Sequence, residues 1–222
     1  MTGVGSPVIA VLEASELSFA YHASASPVFE GLSIHVAAGE LVAVLGASGC
    51  GKSTLLYLLG LFLRPASGRV LVDGLDTTHL GDAMRSRLRA HRLGFVFQDA
   101  ALDPAMSVQE NVAEGALYGG ASYADATRRA FELLADYGIA AIRHRRPTEI
   151  SGGQAQRAAL CRALIRNPRL VLADEPTGNL DSANATAVLD GLRNVAAGGA
   201  GVVVVTHSPD VAAASDRVVE LR

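Results

Sequence analysis

Cysteine, lysine and long apolar runs are scarce in this sequence of 222 residues. Its two cysteines, Cys50 and Cys161, are too few for a disulfide scaffold and are typical of a protein in a reducing compartment. Charged residues make up only 18% of the chain, 50% is hydrophobic and the net charge is −3, which excludes global disorder and argues against a dedicated nucleic-acid binder. The apolar stretch at residues 55–63 is too short to span a bilayer. We therefore expect a soluble, cytosolic, globular protein.

The scarcity of lysine points to one position. Of the 19 basic residues all but one are arginine, and the single lysine, Lys52, lies in GASGCGKS at residues 46–53. This segment matches the pattern of a phosphate-binding loop. Its glycines let successive backbone N–H groups turn toward one anion, and a compact ammonium suits the β- and γ-phosphates better than a planar guanidinium does. We expect Ser53 to offer its hydroxyl to Mg²⁺.

The residues on either side of this loop support the same interpretation. Residues 41–45, LVAVL, are continuously apolar, as in a parallel strand buried on both faces, and residues 53–59 have the pattern of a helix. The order of strand, Gly-rich loop and helix places the loop at a helix N-terminus, whose dipole favours an anion. The competing interpretation is a Gly-rich turn that binds nothing, and this context disfavours it.

Three further apolar runs are each followed by polar side chains: residues 93–97 by Gln98, residues 170–173 by Asp174 and Glu175, and residues 202–206 by His207. In open parallel sheets, ligands bind outside the carboxyl ends of the strands, so these side chains should converge on one nucleotide. Taken singly, each has a plainer interpretation. The glutamine would be a turn residue, the two acids a helix N-cap pair, and the histidine a structural one.

Phosphoryl-transfer chemistry, in which positioning and charge neutralisation dominate, gives these side chains expected roles. Asp174 would hold Mg²⁺ through its water shell, and Glu175 would polarise the attacking water. Gln98 would reach the Mg²⁺ or that water. His207 would contact the γ-phosphate and keep Glu175 and the water aligned. The sequence leaves open whether Glu175 is a full general base or an orienting group.

A second anion site is predicted where Ser151 precedes an Ala- and Leu-rich helical run. Ser151 is a natural N-cap, and Gly152 and Gly153 leave backbone N–H groups bare at the helix N-terminus. Because one nucleotide has one γ-phosphate, two anion sites per chain suggest a head-to-tail pair in which each such helix closes over its neighbour's phosphate loop. The plainer interpretation is an ordinary capped helix.

Together these motifs resemble the ATP-binding subunit of ABC transporters over nearly the full chain, from residue 12 to about residue 221. The resemblance assigns six motifs: Walker A at residues 46–53, the Q-loop at Gln98, the signature at residues 150–154 with Ile150 in place of the usual Leu, Walker B at residues 170–175, the D-loop at residues 179–181 and the switch histidine at His207. Tyr21 lies where this family places an aromatic that stacks on adenine, and a plain strand aromatic is the alternative for it.

The resemblance implies an α/β fold, a P-loop NTPase of ABC type. Its RecA-like parallel-sheet core would carry an N-terminal antiparallel β subdomain and an inserted α-helical subdomain. We expect one domain over residues 1–222. The nucleotide-binding core with the β subdomain would occupy about 12–98 and 167–222, and the helical subdomain with the signature motif about 99–166.

Two local expectations come from composition alone. Residues 1–10 are expected to be a loose tail. The basic runs at residues 85–92 and 143–146 are expected to be solvated faces, with contact to a membrane or a permease as the alternative.

The resemblance also implies the cofactors ATP and Mg²⁺ and the residues that bind them. The catalytic residues would be Glu175, His207 and Gln98, and the metal site would use Ser53, Gln98 and Asp174. Residues of the same chain would bind ATP: Tyr21, Gly46, Ala47, Ser48, Gly49, Cys50, Gly51, Lys52, Ser53 and Thr54. Residues of a second chain would bind the same ATP in trans: Ser151, Gly152, Gly153, Gln154 and Asp181.

The implied function is an ATP-hydrolysing subunit that powers a membrane ABC transporter or a mechanotransmitting permease. It would work through head-to-tail dimerisation with a second copy or a homologous subunit, on the cytoplasmic face of the cell membrane, without nucleic acid. Residues 173–181 are similar to the subgroup serving lipoprotein release, macrolide export and cell division. Residues 99–107 depart from that subgroup in a region that resembles the permease-facing surface, which leaves the partner's identity open.

Two alternatives remain. A non-transport ABC ATPase would act on soluble or nucleic-acid partners. Non-transport members with a coiled coil would need a long insertion between Lys52 and Ser151, which this chain lacks. Members of the translation-factor type carry two such domains in tandem, whereas this chain carries one. A regulatory module that binds ATP without hydrolysis is disfavoured because Glu175 and His207 are both present.

Overall fold

The computed structural model describes residues 10–22 and 26–221. The expected N-terminal tail falls almost entirely on residues 1–9, which lie outside the described residues. The strands are β1 Ala10–Phe19, β2 Phe29–Ala37, β3 Leu41–Leu45, β4 Ser67–Val72, β5 Leu75–Asp76, β6 Leu93–Val96, β7 Leu170–Asp174, β8 Gly201–Thr206 and β9 Arg217–Glu220. The helices are α1 Lys52–Leu59, α2 Asp82–Arg92, α3 Val108–Leu117, α4 Tyr123–Asp136, α5 Gly152–Leu164, α6 Ser182–Ala197 and α7 Pro209–Ala213, with 3-10 turns at Ala140–Ile142 and Pro147–Glu149.

A parallel sheet forms the centre of the fold. Its five strands run in the order β6-β7-β8-β3-β9, and every neighbouring pair is parallel. All residues of β7 and β8 are buried. Along β8, Val202 and Val204 belong to one hydrophobic core while Val203 and Val205 belong to another. Both faces of the sheet are therefore covered at its centre, which is why β3 and the run before Asp174 in β7 are continuously apolar rather than alternating.

An antiparallel sheet covers one face of the parallel sheet. Its strands run in the order β2-β1-β4-β5. Side chains such as Leu17, Val36 and Val72 pack in the same core as the buried leucines of α1 and as Val203 of β8. The phosphate-loop helix is thus held between two sheets, so its N-terminus has a defined position at the edge of the parallel sheet.

Helices cover the other face. Between β6 and β7 the chain forms α3, α4, α5 and the two 3-10 turns. Leu134 and Leu160 pack there against Val171 and Val204 of the parallel sheet. The fold class predicted from the sequence is confirmed, whereas the exact residue limits of the subdomains stay a prediction. None of the helices in the described part of the chain combines the length and apolar character needed to cross a membrane.

The expectation of a solvated face at residues 85–92 is wrong for the first residue of that run, Arg85. Arg85 is 3% exposed and donates hydrogen bonds to the carbonyl groups of Leu61, at 3.0 Å, and Leu63. Arg89 donates to the same Leu61 carbonyl at 2.7 Å. Carbonyl groups just beyond a helix end need donors, and these guanidinium groups supply them after α1. Burial lowers the pKa of Arg85, which the neighbouring charges of Arg64 and Arg89 lower further.

Candidate functional site

The loop at residues 46–53 connects β3 to α1. The N-cap of α1 is Gly51, whose φ of 96° is a left-handed conformation that glycine adopts without strain, and a Cβ at this position would also overlap the Val28 side chain. The Nζ atom of Lys52 donates to the carbonyl oxygens of Gly46 at 2.8 Å and Ala47 at 3.1 Å. The ammonium therefore lies over the loop, next to the N-terminus of the helix.

A cavity of about 290 Å³ opens at the carboxyl ends of β3, β6 and β7. Its lining combines the phosphate loop with polar residues that follow two other strands: Ser48, Gly49, Gly51, Lys52, Ser53, Thr54, Gln98, Asp174 and Glu175. The structure thus brings together Gln98, Asp174, Glu175 and most of the phosphate loop. Four other residues predicted from the loop pattern or the strand ends do not line this cavity: Gly46, Ala47, Cys50 and His207, of which His207 contacts Glu175. This is the edge at which open parallel sheets bind ligands.

Asp174 ends β7 and is only 8% exposed. Burial raises the pKa of Asp174 above its ordinary value. A hydrogen bond with the Ser53 hydroxyl lowers this pKa, the charge of Glu175 raises it, and the Lys52 ammonium lowers it. The raised pKa means that burial disfavours the ionised carboxylate, and a cation at its oxygen atoms would stabilise that form. Asp174 and Ser53 are therefore suited to share a positive ion.

The backbone of Glu175 is in an unusual conformation. Its φ of 43° lies in the left-handed region, which is costly for a residue with a side chain. Its N–H donates to the Val205 carbonyl at 2.9 Å, which attaches this turn to the neighbouring strand. Such strain persists only where the surrounding structure enforces it, and here it directs the carboxylate toward the cavity.

The Glu175 carboxylate is held by groups from two sides. Its Oε2 atom accepts hydrogen bonds from the Thr206 hydroxyl at 2.9 Å and from the His207 backbone N–H at 3.3 Å. Its Oε1 atom lies 2.7 Å from Nδ1 of His207 and 3.8 Å from Nζ of Lys52. The Glu175 side chain is 11% exposed, whereas that of His207 is 69% exposed. The histidine can therefore move while the carboxylate stays anchored.

Tyr21 lies beside the first turn of α1. Its hydroxyl is 2.7 Å from Oγ1 of Thr54, and its ring packs edge-on against Phe19 with centroids 5.1 Å apart. The tyrosine is 59% exposed, so a face of its ring is free for a ligand. Stacking on adenine stays a prediction for this residue.

The signature residues form a separate group, and none of the described residues that line the cavity belongs to it. The Ser151 hydroxyl accepts from the Gln154 N–H at 3.3 Å, and the Gln154 side chain accepts from the Ser151 N–H at 3.0 Å. Gly153 lies so close to Asn184 that a Cβ would overlap that side chain. Asp181 caps α6 by accepting from the Asn184 N–H at 2.9 Å. The signature and D-loop residues thus lie together, and none of them lines the cavity of their own chain's phosphate loop.

The sequence interpretation missed two buried polar residues that support the site. Thr206, inside the apolar run of β8, contacts Glu175 as described. Gln156 on α5 is 3% exposed and donates from Nε2 to the carbonyl of Phe97 at 2.9 Å, directly before Gln98. The sequence did carry a signal for Gln156. It lies three and four positions before the apolar residues 159 and 160, and this spacing places all three on one face of a helix.

A divalent ion would need oxygen atoms from a ligand as well as from the protein. Among residues 10–22 and 26–221, no group of three His, Cys, Asp or Glu side chains could hold a metal by itself. Ser53, Gln98 and Asp174 nevertheless present oxygen atoms around one cavity. Magnesium is commonly held in this way, by one or two protein groups together with phosphate oxygens and water.

Comparisons with known proteins agree with this geometry. The family described as ABC transporter matches residues 29–178. The lipoprotein-releasing system ATP-binding protein LolD of Paramagnetospirillum magneticum is 46% identical over 195 residues, 87% of this chain and 86% of that protein. The macrolide export ATP-binding/permease protein MacB of Chromobacterium violaceum is 43% identical over 88% of this chain and 30% of its own length. A dimeric post-hydrolysis structure of the ATP-binding cassette MJ0796 bound to ADP and Pi superposes with a TM-score of 0.87, at 32% identity over 95% of this chain and 94% of that one.

Proposed function

This chain belongs to the ABC transporter family, and from that premise we propose that it is the ATP-binding and ATP-hydrolysing subunit of a membrane transporter in the lipoprotein-release and macrolide-export subgroup. One observation carries the proposal. The Glu175 carboxylate is anchored 3.8 Å from Lys52 in the cavity that the phosphate loop lines. A group that can act on water therefore lies beside a group that binds phosphate, as hydrolysis of a nucleoside triphosphate requires.

ATP binding would use the loop and the cation above it. The N–H groups of residues 46–54 and the dipole of α1 would bind the phosphates. Lys52, which now donates to the Gly46 and Ala47 carbonyls, would turn its ammonium to the β- and γ-phosphate oxygens. Tyr21, exposed and bonded to Thr54 at the same helix end, would stack on adenine.

Ser53 and Asp174 would hold Mg²⁺, with Gln98 contacting its water shell. When bound, this ion would neutralise charge on the phosphate oxygens. The protein's part is to present the Ser53 hydroxyl and the buried Asp174 carboxylate at one side of the cavity, where they contact each other. Gln98 lines the same cavity from the end of β6.

Hydrolysis would depend on Glu175, His207 and Gln98. Glu175 would orient the attacking water and accept its proton as the water oxygen bonds to the γ-phosphorus. The bond from that phosphorus to the bridging oxygen would break, and ADP would leave with this oxygen. His207, whose Nδ1 is 2.7 Å from that carboxylate, would keep the carboxylate and water aligned and contact the γ-phosphate through its exposed ring. Gln98 would contact the same water from the end of β6, the strand that neighbours β7.

The complete site would form between two chains. Ser151, Gly152, Gly153, Gln154 and Asp181 would meet the nucleotide bound to a partner, either a second copy or a homologous subunit. Their separation from the chain's own cavity supports this arrangement. So does the structural similarity to a cassette whose structure is dimeric.

The permease would dock at a groove of about 410 Å³ that lies between α2 and β6 on one side and α3 and α5 on the other. Phe62 and Tyr118 line this groove and are 48% and 78% exposed, which suits an apolar helix of a membrane partner. Docking there would place the chain on the cytoplasmic face of the membrane. The names of the LolD and MacB relatives support a role in export or release.

Glu175→Gln tests the proposed reaction. The amide keeps the shape of the side chain but cannot accept a proton, so we expect ATP turnover to fall at least about 100-fold while ATP binding is retained. Light scattering with ATP should then detect a dimer that accumulates. Glu30→Gln, at an exposed position of β2, is the matched control and should hydrolyse normally. Turnover near the wild-type rate in Glu175→Gln would overturn the proposal.

A second experiment distinguishes a transporter subunit from a non-transport ATPase that acts on soluble or nucleic-acid partners. Tagged Glu175→Gln protein would be recovered from detergent-solubilised native membranes with ATP present and its partners identified by mass spectrometry. A polytopic membrane protein supports the transporter subunit. Recovery of soluble partners or nucleic acid alone, with the chain absent from membranes, would favour a non-transport ATPase.

A further inference from the structure

Thr206, the last residue of β8, places a hydroxyl in a wholly buried position, with 0% of the residue exposed. Its Oγ1 atom donates to Oε2 of Glu175 at 2.9 Å. The same atom accepts the N–H of Ser208 at 3.0 Å. An ionised carboxylate can only accept, so the threonine hydroxyl must be the donor to it. Two contacts on opposite sides therefore fix the direction of the hydroxyl.

The two carboxylate oxygens of Glu175 have different partners. Oε2 is bound by groups of the β8 end, the Thr206 hydroxyl and the His207 backbone N–H. Within the described part of the chain, Oε1 meets side chains alone, the His207 ring and the Lys52 ammonium, and no backbone group. Rotation of the carboxylate would exchange the two oxygens, and the bond from Thr206 opposes that rotation.

Packing alone does not call for a hydroxyl at this position. The four residues before Thr206 on β8 are all valine and all fully buried. Valine has the shape of threonine, and a buried hydroxyl costs free energy unless it is hydrogen-bonded. Both bonds of this hydroxyl go to the turn segments that carry Glu175 and His207. Its presence is explained by the site rather than by the core.

We propose that Thr206 is a positioning residue for ATP hydrolysis, which anchors one oxygen of Glu175 so that the other faces the attacking water. This inference rests on the role proposed above for Glu175. It adds that the carboxylate must be held in one orientation, and that the end of β8 holds it.

The test compares Thr206→Val with Thr206→Ser in steady-state ATP hydrolysis by the purified full chain. A hydrogen bond to a charged group is worth enough that we expect kcat to fall about tenfold in Thr206→Val. KM for ATP should change by less than about twofold, because Thr206 does not line the phosphate cavity. Thr206→Ser keeps the hydroxyl and should restore most of kcat. Unchanged kcat in Thr206→Val, or no recovery in Thr206→Ser, would refute the inference.

Thr77→Val is the matched control. Thr77 is 1% exposed, and its hydroxyl donates to the Val70 carbonyl at 2.8 Å in the antiparallel sheet. The substitution removes a buried hydroxyl of the same kind far from Glu175 in the fold, so kcat should not change. If Thr206→Val does not fold, Thr206→Ala against Thr206→Ser gives the same comparison, since those two variants differ only by the oxygen atom.

A double-mutant cycle separates failure of this inference from failure of the proposed function. In a Glu175→Gln background, Thr206→Val should lower the residual single-turnover rate no further, because the group that Thr206 positions is already lost. An equal tenfold loss in both backgrounds would show that Thr206 acts on something else. Fast hydrolysis by the single variant Glu175→Gln would instead contradict the role proposed for Glu175 in hydrolysis.

Discussion

At the scale of single residues, the two cysteines differ sharply in environment. Cys50 lies in the phosphate loop, part-buried, with its Sγ against Gly46. Cys161 on α5 is fully buried, and burial raises the pKa of its thiol to about 12. Since the thiolate is the reactive form, the folded chain should expose one reactive position to a thiol reagent, and that position lies within the proposed nucleotide site.

We predict that alkylation of Cys50 abolishes ATP turnover and that prior binding of ATP protects the thiol. A bulky adduct in the loop would occupy the space of the phosphates. Peptide mass spectrometry should find label at residue 50 and little at residue 161, and Cys50→Ser should resist inactivation. Complete labelling of Cys50 with unchanged turnover would contradict its placement in the phosphate site.

Asp174 illustrates a functional group that costs stability. Burial raises its pKa, so above that pKa the ionised carboxylate disfavours the folded state, while in strong acid it is protonated in both states and the cost disappears. We predict that Asp174→Asn raises Tm at pH 7 in chelator without nucleotide and that hydrolysis is lost. The gain in Tm should shrink as pH falls through the raised pKa of Asp174 and should be nearly gone below about 4, the ordinary value for aspartate. Thermal scans across pH test this, and a lower Tm at pH 7 would contradict it.

At the scale of elements, the sequence predicts the parallel strands well because burial on both faces leaves an unbroken apolar run. Residues 41–45 form β3 as predicted. The strand predicted at residues 93–97 ends one residue early, at Val96, and the Phe97 carbonyl beyond it accepts a hydrogen bond from the Gln156 side chain. The family resemblance and the fold class are confirmed. Contacts such as that of Arg85 with Leu61 join distant segments and leave no local periodic signal, so they could not be predicted.

The site was predictable to the extent that its residues are adjacent to strand ends. Gln98, Asp174 and Glu175 were marked in this way and do share one cavity. The sequence shows Thr206 as the end of an apolar run, because nothing in it tells which of the five residues 202–206 meets the carboxylate from the next strand. Side-chain orientation at a sheet edge depends on register, which the structure supplies.

Gln156 provides the prediction that belongs to α5. Gln156→Leu removes its bond to the Phe97 carbonyl and should cost about 1 kcal/mol of unfolding free energy, with turnover reduced several-fold because the Gln98 segment loses its anchor. The matched control is Gln109→Leu, which removes a bond of the same kind, to the Thr127 carbonyl at 2.9 Å, within the same helical layer. Denaturant melts and ATPase assays should show that both variants lose stability and only Gln156→Leu loses turnover. Equal turnover in the two would contradict the role.

At the scale of the whole molecule, the proposed dimer would take two different parts of its nucleotide site from each chain. The phosphate cavity lies at the edge of the parallel sheet, and the signature surface lies at the N-termini of α5 and α6. Ser151 caps its own helix in the single chain, which is the plainer interpretation of that residue. An N-cap needs an acceptor oxygen in the side chain, whereas a contact with phosphate excludes a negatively charged side chain, so substitutions at Ser151 can separate the two roles.

We predict that Ser151→Asp folds normally and fails to form the ATP-dependent dimer. Aspartate is a good N-cap, but its charge would repel the γ-phosphate bound to the partner. Ser151→Ala removes the cap and should cost about 1 kcal/mol of stability while repelling nothing. Both would be made in the Glu175→Gln background and examined by light scattering with ATP. Dimerisation of the Ser151→Asp variant as strong as that of its parent would contradict the trans site.

The bond from Gln156 to Phe97 has a consequence for how two nucleotides communicate. In the proposed dimer, the N-terminus of α5 would meet the partner's ATP, while the Phe97 carbonyl precedes Gln98, which would contact the water at the chain's own ATP. Each chain would then connect the two sites through the side-chain amide of Gln156. If nucleotide at one site changes the affinity of the other through this contact, thermodynamic reciprocity makes the effect equal in both directions. A single buried side chain, present once in each chain, would thus contribute to cooperative ATP binding.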